Sequence, residues 1–208
     1  MINYYILDVE TTGLKAGYHE INQISVIRVS DGFQKTANIA VSFPNRASPE
    51  ALRIQKRAKH ELSQGVPQED VVAELDAFFE EDGLTAAHRC IVGHNVSFDR
   101  RFCHAMWAFC GKEFKADLWL CTKSFTQRWG KKIGPEKIAA IQGTPKAKYG
   151  LDMCLLAAGI PAKFGAHSAT IDTQNTLSLF QFLMDKQLDY VSIIKRLPHK
   201  TKPDSFYE

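Results

Sequence analysis

Tyr4 to Leu7 is a short apolar, aromatic-rich run that ends on Asp8, and a second acid, Glu10, follows two positions later. A run of this kind reads as a β-strand, and strand side chains at i and i+2 leave the same face. Two carboxylates therefore converge at the end of the strand, and the fold must leave room for them. Setting two like charges side by side in a protein is costly without a cation, and hard oxygen donors suit Mg²⁺ or Mn²⁺. The spacing alone is a weak signal, because acidic pairs on strands mostly face solvent.

The segments that follow narrow the fold. Ile21 to Val29 reads as a second strand, and after the Asp31-Gly32 turn signal Phe33 to Phe43 reads as a third, so the chain begins as an antiparallel meander. Helical spacing then takes over at Pro49 to Leu62 and at Gln68 to Phe79, where Val71, Val72, Leu75, Phe78 and Phe79 form an apolar stripe. Cys90-Ile91-Val92 is a short buried strand leading through Gly93-His94-Asn95 into a helix carrying Phe98, Phe102, Met106 and Phe109. Further helices are predicted over Leu118 to Trp129, Leu151 to Ala158 and Ser168 to Asp185, with a basic loop from Lys131 to Lys148. Three antiparallel strands, then helices alternating with strands, imply a mixed sheet flanked by helices, an α/β arrangement.

With 208 residues, 45% hydrophobic and 24% charged, the chain sits at ordinary globular values and favours a single domain. That domain is read as residues 1–188, with an extension over 189–208 whose tail from Leu197 is expected to be loosely ordered. No apolar run approaches the roughly 18 residues needed to span a bilayer, and MINYYILDVE lacks the basic and apolar blocks of a leader, so a cytoplasmic protein without a membrane partner is expected. Cys90, Cys103, Cys110, Cys121 and Cys154 form no CxxC pair, which favours reduced thiols over a zinc site. Trp107, Phe109, Trp119, Phe125 and Trp129 are read as core, and His19, His60, His88, His104 and His199 as structural or solvated. A net charge of +3 permits a nucleic-acid partner without requiring one. Lys131, Lys132, Lys137, Lys146 and Lys148 stand against Glu136 alone, which suits either a solvated surface or contacts to a strand backbone.

Three further stretches carry chemistry. Thr11-Thr12-Gly13 is a small-residue turn whose backbone could approach a phosphate or ribose. His94-Asn95-Val96-Ser97-Phe98-Asp99 puts Asn95 at a helix N-cap position and Asp99 one turn on, offering a third carboxylate. Gly165-Ala166-His167-Ser168-Ala169-Thr170-Ile171-Asp172 leads from a glycine to His167 and then to Asp172 on a helix, which suits a mobile base beside a fixed ligand.

Taken together, Leu7-Asp8-Val9-Glu10-Thr11-Thr12-Gly13-Leu14, Val92 to Asp99 and His167 to Asp172 resemble, in order, the three motifs of the DEDD superfamily of 3′→5′ exonucleases, in its DEDDh or DnaQ-like branch. The resemblance brackets about the first 185 residues. It implies an RNase H-like fold with a five-stranded mixed sheet, three strands antiparallel and two parallel, and two Mg²⁺ (or Mn²⁺) ions. By position, Asp8, Glu10 and Asp172 would hold the first ion; Asp8 would also bind the second, supported by Asp99, and His167 would activate the attacking water. The same likeness suggests that Thr11 and Thr12 read the terminal 3′-OH, that Leu14 wedges against the last base and that Phe98 packs beneath that nucleotide. Gly13, His94 and Asn95 would shape the same site. Gln23 stands where the family commonly has glutamate, and Thr173 where it commonly has alanine; neither position is a metal ligand.

The expected activity is release of nucleoside 5′-monophosphates from single-stranded 3′ ends, DNA slightly ahead of RNA. An exoribonuclease is the alternative. The expected protein partner is a DNA polymerase, served by proofreading, or another repair protein. A catalytically silent binding or docking module is disfavoured because all four carboxylates and the histidine are present.

Overall fold

The computed structural model describes residues 1–163 and 168–196. Strands β1 (Asn3–Thr11), β2 (Ile21–Arg28) and β3 (Gln34–Asn38) form the antiparallel meander, followed by helices α1 (Pro49–Gln55) and α2 (Gln68–Glu80). Strand β4 (Arg89–Gly93) leads into α3 (Ser97–Phe109), and β5 (Leu118–Cys121) into α4 (Thr122–Ile133). Helices α5 (Pro135–Gln142), α6 (Leu151–Ala158) and α7 (Ala169–Met184) complete the body, and β6 (Lys195–Arg196) closes the far edge. The sheet order is β3-β2-β1-β4-β5-β6. β4 and β5 run parallel to β1, and the remaining pairings are antiparallel. This is the mixed α/β sheet of an RNase H-like fold, with six strands instead of the five expected. The sixth is a two-residue exposed edge pairing without a hydrophobic pattern, so nothing in the sequence announces it.

Helices cover both faces of the sheet. Tyr5, Leu7, Val9 and Ile91 join α2 and α3 in one core through Val72, Phe79, Phe102 and Trp107. Ile6, Val92 and Leu120 join α4, α6 and α7 in a second through Phe125, Leu155, Leu179 and Leu183. The alternation along β1 thus divides its side chains between two cores. Of the five aromatics read as core, Trp107, Trp119, Phe125 and Trp129 are buried, whereas Phe109 is 37% exposed at the end of α3.

Three element expectations need correction. The predicted helix over Leu118 to Trp129 begins with four residues of parallel strand, β5. A strand buried on both faces is a continuous apolar run, which periodicity cannot separate from a buried helix. The predicted helix over Pro49 to Leu62 stops at Gln55, where Lys56 turns left-handed at φ 54°, and resumes as a short 3₁₀ turn over Lys59–Ser63. Lys131 to Lys148 is largely helical. Gly134, at φ 101°, separates α4 from α5, and Pro135 opens α5 at a first-turn position that needs no N–H donor.

The expected extension over 189–208 falls partly on residues 197–208, outside the described residues. Its first part packs back on the body: Arg128 of α4 donates to the Asp189 carbonyl at 2.6 Å, and Tyr190, Ile193 and Ile194 lie against the second core. All five cysteines are free thiols. Among the described residues no helix is long and apolar enough to cross a membrane.

Candidate active site

Asp8 and Glu10 continue the face of β1 that carries Tyr4 and Ile6. Helix α7 covers that face: Tyr4 packs on Phe180 at 5.4 Å between ring centroids, near the helix's C-terminal end. Two to three turns nearer its N-terminus, α7 brings Asp172 to the two acids. One carboxylate oxygen each from Asp8, Glu10 and Asp172 lies within 4.8 Å of the others. The fourth acid comes from the opposite side of the sheet. Asp99, in the first turn of α3 and 3% exposed, accepts a hydrogen bond from the Val9 amide at 3.2 Å. β1 therefore holds two acids by its own pleat and receives one from each flanking helix.

Burial first, then repulsion from Asp99, Asp172 and Glu10, pushes the Asp8 carboxyl well above the usual range. Burial and Asp172 raise Glu10 to about 7, against the opposing field of Arg57. Burial raises Asp99 to about 7 although the Val9 amide favours its charged form. Crowded, partly desolvated hard-oxygen donors of this kind fit divalent cations, which replace the missing counter-charge.

The turn after β1 is a frame. Thr12 is 1% exposed; its amide donates to the Glu20 carbonyl at 2.9 Å and its hydroxyl accepts from the Glu20 amide at 3.0 Å. The Thr11 hydroxyl donates to the Gly13 carbonyl at 2.7 Å. A Cβ on Gly13 would fall 2.3 Å from the His19 ring, so close packing demands glycine there. Leu14 then projects with 80% exposure.

Glycine is equally required at the end of β4, where a Cβ on Gly93 would meet the Leu7 carbonyl at 3.0 Å and Val96 at 2.9 Å. Asn95 takes φ 71°, a left-handed turn that asparagine tolerates, and α3 starts two residues later with Val96 as its cap. Both ring nitrogens of His94 are engaged, with the Thr122 hydroxyl at 3.0 Å and the Tyr149 carbonyl at 2.9 Å. Burial holds this imidazole below its usual pKa. His94 thereby pins the Tyr149 segment, with its neighbour Lys148, to the second motif. Phe98 is half-buried and packs on Phe102 at 4.8 Å.

His167 lies outside the described residues. Lys131 and Lys132 occupy the last turn of α4, Lys137 is on α5, and Lys146 and Lys148 precede α6. All five are exposed, and none forms an ion pair among the described residues.

Two residues near the site carry no motif signal. Arg57, just past α1, donates to the Asn22 carbonyl at 3.2 Å and to Asn38 Oδ1 at 2.5 Å, and its charge opposes that of Glu10. Gln55 donates to the Thr11 carbonyl at 2.7 Å. A loop return brings both back to β1, which sequence spacing cannot reveal. Gln23 also gains a role: it donates to Asn38 Oδ1 at 2.9 Å and accepts the Ala169 amide at 2.9 Å. Arg57, Asn38 and Gln23 thus form a hydrogen-bonded chain ending at the first residue of α7.

Residues 5–180 match the RNase_T exonuclease family, and the chain belongs to that family. Over 107 residues, 49% of this chain and 7% of the relative, it is 36% identical to a DNA polymerase III PolC-type protein from Latilactobacillus sakei. Escherichia coli exonuclease I, solved in complex with a 5cy-dT13 oligonucleotide, superposes with TM-score 0.70 at 18% identity, over 90% of this chain and 41% of that one. Cell-death related nuclease 4 (CRN-4) superposes with TM-score 0.71 at 13% identity, over 89% of this chain and 64% of that one. The chain thus spans only part of each. These likenesses support a nuclease of a divalent-metal-dependent family with the fold described above.

Proposed function

We propose that the protein is a 3′→5′ exonuclease that hydrolyses single-stranded nucleic acid from its 3′ end and releases nucleoside 5′-monophosphates, DNA ahead of RNA. The observation that carries this reading is the convergence of Asp8, Glu10 and Asp172, with Asp99 behind β1, in a chain of an exonuclease family.

Asp8, Glu10 and Asp172 would hold the first of two Mg²⁺ or Mn²⁺ ions, and Asp8, with Asp99 in support, the second. Bound there, the ions supply Lewis acidity and offset the charge of the reacting phosphodiester. His167 takes the proton of the attacking water, a task suited to a base titrating near neutral pH. Leu14, exposed at the mouth, packs on the terminal base, while the turn from Thr11 to Gly13 fixes where that base can lie. Phe98 offers its remaining surface to the same nucleotide, with Asn95 and His94 shaping the wall beside it. Lys131, Lys132, Lys137, Lys146 and Lys148 attract the strand electrostatically. The PolC-type relative supports a polymerase as the protein partner, with proofreading or repair as the setting; an exoribonuclease is the second reading. The unit that acts is residues 1–188.

Single replacements Asp8→Ala and His167→Ala test the assignment. Metal-dependent shortening of a labelled strand is expected to fall to background for Asp8→Ala and by about 10²–10⁴-fold for His167→Ala, with unchanged circular dichroism. Retained activity in Asp8→Ala would sink the reading.

A further inference from the structure

We propose that Arg46 forms a phosphate-binding subsite for the uncleaved part of the substrate strand, one step beyond the carboxylate cluster. The proposal rests on the exonuclease reading above.

The segment after β3 is bolted to the turn that follows β1. Ser48 donates its amide to the Thr12 carbonyl at 2.7 Å, and the Glu20 carboxylate accepts the amides of Ser42 and Phe43 at 2.9 and 2.8 Å. Within this clamp the Arg46 guanidinium lies over the Phe43 ring at 4.2 Å and over the Tyr18 ring at 5.1 Å. Lys15 stands over the same Tyr18 ring at 5.5 Å, and Tyr18 keeps 41% of its surface exposed.

The guanidinium is held in place by aromatic faces and by no acid. Arg46 enters no ion pair among the described residues, and its Nη1, buried, has no hydrogen-bond partner there. A planar fork seated on aromatic faces without a partner acid among the described residues suits an anion with two acceptor oxygens, and a phosphodiester is such a group. The carboxylate cluster would occupy the scissile phosphate through its cations. Lys15 follows the exposed Leu14 in the chain and shares the Tyr18 ring with Arg46, and on this proposal the pair meets the strand upstream of the terminal nucleotide.

The test uses strands in which one linkage at a time is a neutral methylphosphonate, with binding read by fluorescence anisotropy in an Asp8→Asn background. Neutralising one linkage upstream of the 3′-terminal one is expected to weaken binding about tenfold, as for loss of one charge-assisted hydrogen bond. Adding Arg46→Gln should cost the same factor on the natural strand, abolish sensitivity to that linkage and lower the salt slope by about one. Arg46→Lys, which keeps the charge, should recover part of the affinity and the slope. Equal linkage profiles with and without Arg46→Gln would overturn the subsite while leaving the exonuclease reading standing. A chain that binds no strand at all would overturn both.

Discussion

Folding disfavours the charged form of Asp8, first by burial and then by its acidic neighbours. Burial and three nearby carboxylates favour its protonated form, as burial and Asp172 do for Glu10. A carboxyl whose pKa is raised by folding binds more protons in the native than in the unfolded state, so its contribution to stability falls as pH rises. For Glu10 the window runs from the unfolded value of 4.5 to about 7, and above it the penalty is complete. The metal-free protein should therefore lose part of its stability as pH rises from 4.5 to about 7. At pH 8, in chelator, Asp8→Asn should melt higher than the unaltered protein, by about 2–4 °C for each kcal/mol of repulsion relieved. Calorimetry decides this, and a lower melting temperature for Asp8→Asn would count against the crowding of the four acids. The two acids on β1 were legible from their i, i+2 spacing. Arg57, which opposes Glu10, was not, because a loop return through α1 brings it there. Gln23 was visible as a departure from the family pattern, but its bond to the Ala169 amide depends on three-dimensional proximity across 146 positions.

At the scale of elements, helix α7 decides whether the third carboxylate arrives. Its N-terminal half is seated on β2 and β3 by polar contacts instead of apolar ones. Thr173 is fully buried, its hydroxyl lies 3.0 Å from that of Ser25, and Gln34 Nε2 donates to it at 3.1 Å and to the Thr170 carbonyl at 3.2 Å. Alanine at this position would lose both hydroxyl contacts and keep only the bond from Gln34 to the Thr170 carbonyl. Thr173→Val keeps the volume and removes the hydroxyl. It should cost about 0.5–1.5 kcal/mol, because Ser25 and Gln34 each lose one partner while keeping others, and should weaken Mn²⁺ binding by shifting Asp172. Thermal melting with Mn²⁺ titration calorimetry checks both; unchanged values for the two would mean that α7 is placed by its apolar half alone. That apolar half, with Leu179 and Leu183 in the second core, was readable from helical spacing and gave the span of the helix closely. The strand of β5 was not readable, since its doubly buried run mimics a helix start. The basic stretch was misjudged as a loop because Gly134 and Pro135 separate two helices there and do not interrupt one.

The whole molecule places its reactive groups where both cores end. The alternation along β1 sends Tyr5, Leu7 and Val9 into one core and Ile6 into the other, and the face shared with Ile6 continues into Asp8 and Glu10 beside the first turns of α7. The meander and two parallel strands follow from the order of segments in the sequence. The edge pairing of β6 and the return of residues 42–48 onto Thr12 follow only from packing. The Tyr149–His94 bond ties the segment before α6, with the exposed Lys148, to the second motif. The most direct measurement is a timed digestion of matched single-stranded DNA and RNA, each labelled at the 5′ end, with Mg²⁺ or with chelator. Stepwise shortening by one nucleotide from the 3′ end, with nucleoside 5′-monophosphates released, metal required and DNA consumed faster, is the expected result. Intact strands in Mg²⁺, or immediate release of the 5′ label as a mononucleotide, would overturn the assignment of a 3′→5′ exonuclease.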